Sequence, residues 1–235
     1  MSSEKLTRVR IVGSGLIGTS IGLGLVQGGI AVEMIDSDPR SQSLANDLIG
    51  GVGVAAPELV VLAMPTSQLA VVIKREIDLN PHCTFIDVGS VKGEVELQVK
   101  AFPALSRRFL PTHPMAGREI GGAGSARADL FQGRSWILTP SEDIEPNSKA
   151  LVLELISLLG ATPIELSAVD HDRAVAKISH LPQVAASLVA KQLIDTPTEW
   201  MELAGQGLRD TTRIAGSDEL LWKEIIFSNR TELQQ

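Results

Sequence analysis

Several polar groups in this sequence are of types and spacings that could do chemistry. His113 stands directly before Pro114 in the run Leu110-Pro-Thr-His-Pro-Met-Ala-Gly117. A residue before proline is pushed out of the helical region into extended geometry. An imidazole held there has the proton affinity to take a proton from a substrate hydroxyl as a general base. The competing reading is a loop histidine that caps backbone groups. Ser90 and Lys92 lie in Gly89-Ser-Val-Lys-Gly93, where a hydroxyl and an ammonium would orient a polar substrate. The serine alternatively caps the helix that follows.

His180 lies two residues before Pro182, and Arg173, Lys177 and His180 are spaced i, i+4, i+7, with Gln183 one turn further. The proline should bend the helix and leave the Ile178 carbonyl without its usual donor. A polar stripe of this kind is ordinarily a solvated face, but the break beside the histidine favours a site. Arg209 and Arg213 are i, i+4 with Asp210 between. A guanidinium fork matches a carboxylate through two parallel hydrogen bonds; the alternative is a surface ion-pair ladder.

The elements that must position these groups begin with Arg8-Val-Arg-Ile-Val12, a short apolar strand running into Gly13-Ser14-Gly15-Leu16-Ile17-Gly18. A helix-compatible run follows, then a second strand ending at Asp36. This is a dinucleotide-binding arrangement. Gly13 permits the turn, Gly15 lets the backbone approach a pyrophosphate, and Gly18 lets helix and strand pack closely. The helix N-terminus offers N–H groups and positive dipole to phosphates, and Asp36 can accept hydrogen bonds from the ribose of NAD. Gly13, Gly15, Leu16, Ile17, Gly18 and Asp36 are therefore the cofactor-binding candidates, joined by Met64 and Pro65 after the third strand.

Residues 11–32 carry no charged side chain and could instead read as a Gly-rich membrane span. Seven glycines in that stretch are too many for one stable helix. A cleaved leader would destroy the strand–turn–helix unit, so the stretch is read as folded.

Hydrophobic residues make up 44% of the 235, enough for a core, and the net charge is −7. An acidic chain without Lys/Arg runs is a poor binder of nucleic acid or anionic membrane. The single Cys83 excludes an internal disulfide and a Cys-rich metal site. No metal is expected, Cys83 reads as a small core residue, and the cytoplasm is the natural compartment.

Short apolar runs alternate with amphipathic stretches through the first two thirds. Strands are expected at 9–12, 30–35, 59–63, 84–88, 109–112, 136–138 and 163–166. Helices are expected at 16–26, 40–48, 68–77, 93–101 and 147–159. The fold class is α/β, a doubly wound Rossmann-like parallel sheet with helices on both faces. Ligands of such sheets bind at the carboxyl ends of the strands, and His113, Ser90 and Met64 all follow strands. From Ser167 the pattern becomes all-helical, with helices expected at 168–193, 198–204, 207–215 and 218–228 and Ser217 as an N-cap. The expected domains are residues 1–166, binding NAD, and 167–235, a helical substrate and dimerisation domain. Sixty-nine residues are few for an independent core, so the helical part should bury apolar surface against the first domain or a second subunit.

Read together, GSGLIGTSIGLGL, DVGSVKG, LPTHPMAGREIGG with FQGRSWILTP, and DHDRAVAKISHLP with GQGLRDTTRIAGSD resemble the prephenate/arogenate dehydrogenase family of tyrosine biosynthesis. The resemblance implies an NAD-dependent enzyme that oxidises the ring hydroxyl of a cyclohexadienol, after which the ring loses carbon dioxide and becomes aromatic. Prephenate is the expected substrate and arogenate the alternative; a non-catalytic nucleotide-binding scaffold is the reading from another class. By resemblance, His113 accepts the hydroxyl proton, and Ser90 helps orient the hydroxyl and the histidine. His180 belongs to the substrate pocket, Arg213 binds a substrate carboxylate, and Glu119 lies near the pocket entrance. Asp36 stands where family members that favour NAD carry an acid. Many members have His where this chain has Gln183, and a neutral amide could suit the amino acid side chain of arogenate. The resemblance also implies a homodimer, with an interface reduced by the short stretch after Trp222.

Overall fold

The computed structural model describes residues 5–118 and 120–235. They form two compact units. The first holds residues up to Gly117 together with Gly121–His171, and the second holds Asp172–Gln235 with Arg118 and Ile120.

In the first unit, β1 (Arg8–Val12), β2 (Ala31–Ile35), β3 (Leu59–Leu62), β4 (Thr84–Asp87) and β5 (Phe109–Leu110) build a parallel sheet in the order β2-β1-β3-β4-β5. The helices between them are α1 (Leu16–Gln27), α2 (Pro39–Ile49), α3 (Leu69–Leu79) and α4 (Lys92–Val99). Strand order reverses between β1 and β3, which places the ligand crevice beyond the carboxyl ends of those two strands.

The side-chain period of two explains why β3 is apolar throughout. Leu59 and Val61 enter one core cluster with Ile21 and Leu25 of α1. Val60 and Leu62 enter another with Ile73 of α3 and Val95 of α4. A strand buried on both faces has no solvated side on which to place polar residues. Each such side chain stabilises the fold by roughly 1.5–3 kcal/mol. Cys83 sits in the second cluster; its thiol donates to the Pro57 carbonyl at 2.6 Å, and burial pushes its pKa up to about 11.

The single strand expected at 109–112 is divided. Pro111 has no N–H for a ladder, so β5 ends at Leu110 and β6 (Thr112–Pro114) joins a second sheet with β7 (Ser135–Leu138) and β8 (Thr162–Glu165). There β6 runs antiparallel to β7, and β7 is parallel to β8 through the crossover helix α5 (Pro146–Leu158). His113 is thus a strand residue opposite Ile137, not a loop residue. The uncharged stretch 11–32 is strand, turn, a 12-residue helix and strand, and no helix among the described residues is long and apolar enough to cross a membrane.

Beyond the second sheet the chain is helical. The long helix expected at 168–193 is three pieces: α6 (Ala168–Val175), a π turn Ala176–His180, and α7 (Leu181–Lys191). The π turn is the form the Pro182 break takes, with the Leu181 N–H reaching the Ala176 carbonyl five residues back. Then come α8 (Thr198–Met201), α9 (Gln206–Thr212), a 3-10 turn Arg213–Gly216, α10 (Glu219–Ser228) and α11 (Arg230–Leu233). Asp218, not Ser217, caps α10 by accepting from the Leu221 N–H, while the Ser217 hydroxyl donates to the Ile214 carbonyl. Ile194, Trp200, Leu203, Leu220 and Phe227 are exposed in the second unit.

Candidate active site

The Gly-rich turn is built as its sequence requires. Gly13 has φ +108°, and a side chain there would collide with the Ala63 carbonyl. A side chain at Gly18 would strike the Gly13 carbonyl. Gly15 differs: a Cβ there would meet nothing within 4 Å. Packing does not demand a glycine at 15, so the open approach to the N-terminus of α1 is the feature its missing side chain provides. Leu16 and Ile17 are half-buried in the first turn of that helix. Met64 and Pro65 follow β3, whose end is tied to β1 by the Ala63 N–H on the Val12 carbonyl at 2.7 Å.

Asp36, just past β2, is held from several sides. One carboxylate oxygen accepts from the Ser14 N–H at 2.7 Å and the Ser14 hydroxyl at 2.6 Å, and the other from the Asp38 N–H at 2.9 Å. Partial burial works against its charge, but the Ser14 hydroxyl and the N–H groups of Asp38, Ser14 and Ser37 outweigh it and hold the pKa below the usual carboxylate value. A fixed anion therefore stands beside the Gly-rich turn. Open space at Gly15, the N-terminus of α1 and this carboxylate fit a dinucleotide with a free ribose 2′-hydroxyl.

Ser90 lies beyond the end of β4 and is half-buried. It does not cap α4; the cap position is Val91, with no side-chain hydrogen bond. Lys92 departs from the expectation of a substrate contact. Its side chain is 0% exposed and ion-paired with Asp87, and its ammonium donates to the Thr112 carbonyl at 2.5 Å. Burying an ammonium alone is prohibitive, so these partners account for its position.

His113 Nδ1 lies 2.9 Å from His171 Nε2, with the rings edge to face at 5.1 Å between centroids. His171, on α6, is 0% exposed and is a candidate site residue that sequence reasoning missed. Flanked by Asp170 and Asp172, it reads as part of a solvated face. The signal that would have found it is the buried stripe Ala168, His171, Asp172, Val175, spaced i, i+3, i+4, i+7.

In the second unit the π turn undoes the shared face expected of Arg173, Lys177 and His180. Arg173 and Lys177 are exposed, whereas His180 is 1% exposed. The extra residue in the turn rotates His180 inward, where its Nδ1 faces the Asn229 side-chain amide at 3.1 Å and its ring meets Trp222 edge to face. That amide also donates to the Asp172 carbonyl at 2.9 Å. Gln183 is buried as well, and its amide donates to the Ile214 carbonyl at 3.0 Å. It thereby ties α7 to the 3-10 turn that carries the exposed Arg213. Arg209 is exposed on α9, where Asp210 accepts from Gln206. Glu119 lies outside the described residues.

Comparison with known proteins agrees with this architecture. The family described as prephenate dehydrogenase, nucleotide-binding domain, matches residues 27–165, and prephenate dehydrogenase, dimerization domain, matches 167–235. A probable prephenate dehydrogenase, NovF, of Streptomyces niveus is 32% identical over 93% of this chain. The chain spans 62% of that relative's own length. A crystal structure of Aquifex aeolicus prephenate dehydrogenase, in complex with hydroxyphenyl propionate and NAD+, is similar with a TM-score of 0.88 and 28% identity, over 99% of this chain and 86% of that one. A Synechocystis arogenate dehydrogenase structure is similar at a TM-score of 0.78 and 25% identity, over 97% of this chain and 86% of that one. With both of its domains matched in order, the chain belongs to the prephenate dehydrogenase family.

Proposed function

We propose that this chain oxidises prephenate with NAD and releases carbon dioxide and 4-hydroxyphenylpyruvate, a step of tyrosine biosynthesis. The observation that carries the reading is the His113–His171 contact beside the dinucleotide-type sheet, since it gives an imidazole a fixed orientation. Bound NAD supplies the hydride acceptor. The substrate hydroxyl gives its proton to His113 Nε2 while its carbon loses hydride. That leaves a dienone, and the bond to the ring carboxylate then breaks. Its electron pair enters the ring, carbon dioxide leaves, and the phenolate oxygen takes up a proton.

His113 can act so when the proton shared with His171 sits on Nδ1, because Nε2 is then the basic nitrogen. Ser90 orients the hydroxyl, Arg213 takes a substrate carboxylate, and Asp36 with the Gly13–Gly18 turn selects NAD. Residues 1–166 serve the cofactor, and 167–235 serve the substrate and pair two copies as a homodimer in the cytoplasm. The exposed Trp200, Leu203, Leu220 and Phe227 favour that pairing.

Arogenate is the second reading, favoured by the neutral Gln183 in place of a histidine. Its amide is engaged by the Ile214 carbonyl, which keeps prephenate first. The test measures NADH and NADPH formation with prephenate and arogenate side by side, with His113→Asn as control. NADH formation with prephenate, cut roughly 10²–10⁴-fold in the variant with NAD still bound, is expected. No reduction with either substrate would leave the non-catalytic scaffold.

A further inference from the structure

We propose that Asp87 and Lys92 are positioning residues whose buried ion pair fixes the loop of Ser90 and the strand of His113 as one rigid piece. The inference rests on the assignment of His113 as the proton acceptor.

Asp87 ends β4, the last residue before the chain turns toward Ser90. One carboxylate oxygen accepts from the Gly89 N–H at 2.8 Å and pairs with the Lys92 ammonium. The other accepts from the Thr112 N–H at 3.2 Å. The Thr112 hydroxyl donates to the Asp87 carbonyl at 2.6 Å, and Lys92 closes the circuit on the Thr112 carbonyl. One carboxylate and one ammonium therefore grip both peptide groups of Thr112, the neighbour of His113, and the N–H of Gly89, the neighbour of Ser90.

The topology explains why such a clamp is needed. Pro111 breaks the strand, so β6 leaves the parallel sheet and the pairing with β4 stops at Leu110. The side chains of Asp87 and Lys92 replace those missing backbone bonds. Gly89 is part of the device, because a side chain there would press on the Asp87 carboxylate at 2.9 Å and the Thr66 hydroxyl at 3.0 Å. A charged pair is worth burying where it confers geometric specificity that an apolar pair would not. A reacting group displaced by about 1 Å costs on the order of 10² in rate.

The experiment is a double-mutant cycle on the 235-residue chain with prephenate and NAD. Lys92→Met should lower kcat about 10²-fold, leave KM for prephenate and the Kd of NAD within about twofold, and unfold cooperatively. In the His113→Asn background the same change should cost less than about tenfold, because of the two groups the lysine holds only Ser90 is still present. Should Lys92→Met not fold, Lys92→Gln, whose shorter amide can still donate toward the Thr112 carbonyl but carries no charge for Asp87, enters the same cycle. Its kcat should fall by at least about tenfold, and full turnover in it overturns the proposal as well. Full turnover in Lys92→Met, or additive losses with His113→Asn, overturns the proposal. If instead His113→Asn alone retains turnover, the assignment of the base fails, a result separate from either.

Discussion

The contact between His113 and His171 lends itself to a quantitative test. His171→Leu removes a 2.9 Å partner from His113 Nδ1 at a site with no solvent exposure, so water cannot readily substitute. A neutral hydrogen bond contributes about 0.5–1.5 kcal/mol net. If that energy holds the imidazole in its reactive tautomer and orientation, its loss lowers the reactive population by up to about tenfold, since about 1.4 kcal/mol is a factor of ten. The fall in kcat should therefore be about two- to tenfold, well short of the roughly 10²–10⁴ expected on removing the base itself. Folding stability should drop by about 1 kcal/mol from the same bond. His171→Gln, whose side-chain carbonyl can accept from Nδ1–H, should recover most of the rate. The assay is initial NADH formation at saturating prephenate and NAD, with chemical denaturation of each variant alongside. Turnover of His171→Leu within twofold of the parent would refute the orienting role. A loss as deep as that of His113→Asn would show that His171 does more than supply one hydrogen bond.

Other outcomes follow from the anchored groups. Asp36→Ala should weaken NAD by roughly ten- to a hundredfold, the worth of about 1.5–3 kcal/mol for a charged hydrogen bond, and narrow the preference over NADP; unchanged ratios of kcat/KM for the two would show that Asp36 does not meet the ribose. Because the Asp36 pKa is lowered, its carboxylate stays ionised down to the ordinary carboxylate range, and its contribution to the KM for NAD, which has no 2′-phosphate to titrate, should be constant from about pH 8 to about pH 5. Arg213→Ala should raise KM for prephenate with kcat largely kept, as expected of uniform binding. Gln183→Ala should raise KM less, and its effect should vanish in the Arg213→Ala background, because Gln183 reaches Arg213 only through the Ile214 carbonyl. Steady-state kinetics of the two single variants and the double variant decide it, and additive effects would show that Gln183 contacts substrate directly.

The parallel sheet was legible in the sequence because its determinants are local. A four-residue apolar run such as Leu59–Leu62 is a buried strand wherever glycine-rich turns and amphipathic helices flank it, and Gly13–Gly18 needs only its neighbours to define its turn. What was not legible depends on pairs distant in the chain. Lys92 reads as a loop cation until Thr112, twenty residues on, supplies its acceptor. His171 reads as a solvated residue until His113, fifty-eight residues away, faces it. The misplaced face of His180 has a different origin. Pro182 announces a break, but whether the helix kinks or widens into a π turn is decided by what the rotated side chain finds inside, here Asn229 and Trp222. Sequence order thus identified several groups that could do chemistry, and tertiary partners separate those left accessible, such as Ser90 and Arg213, from those whose donors are taken up inside the fold. Lys92 and Gln183 move into the second group for one physical reason. Each is a buried donor bonded to a backbone carbonyl, and the bond holds the segment that carries that carbonyl.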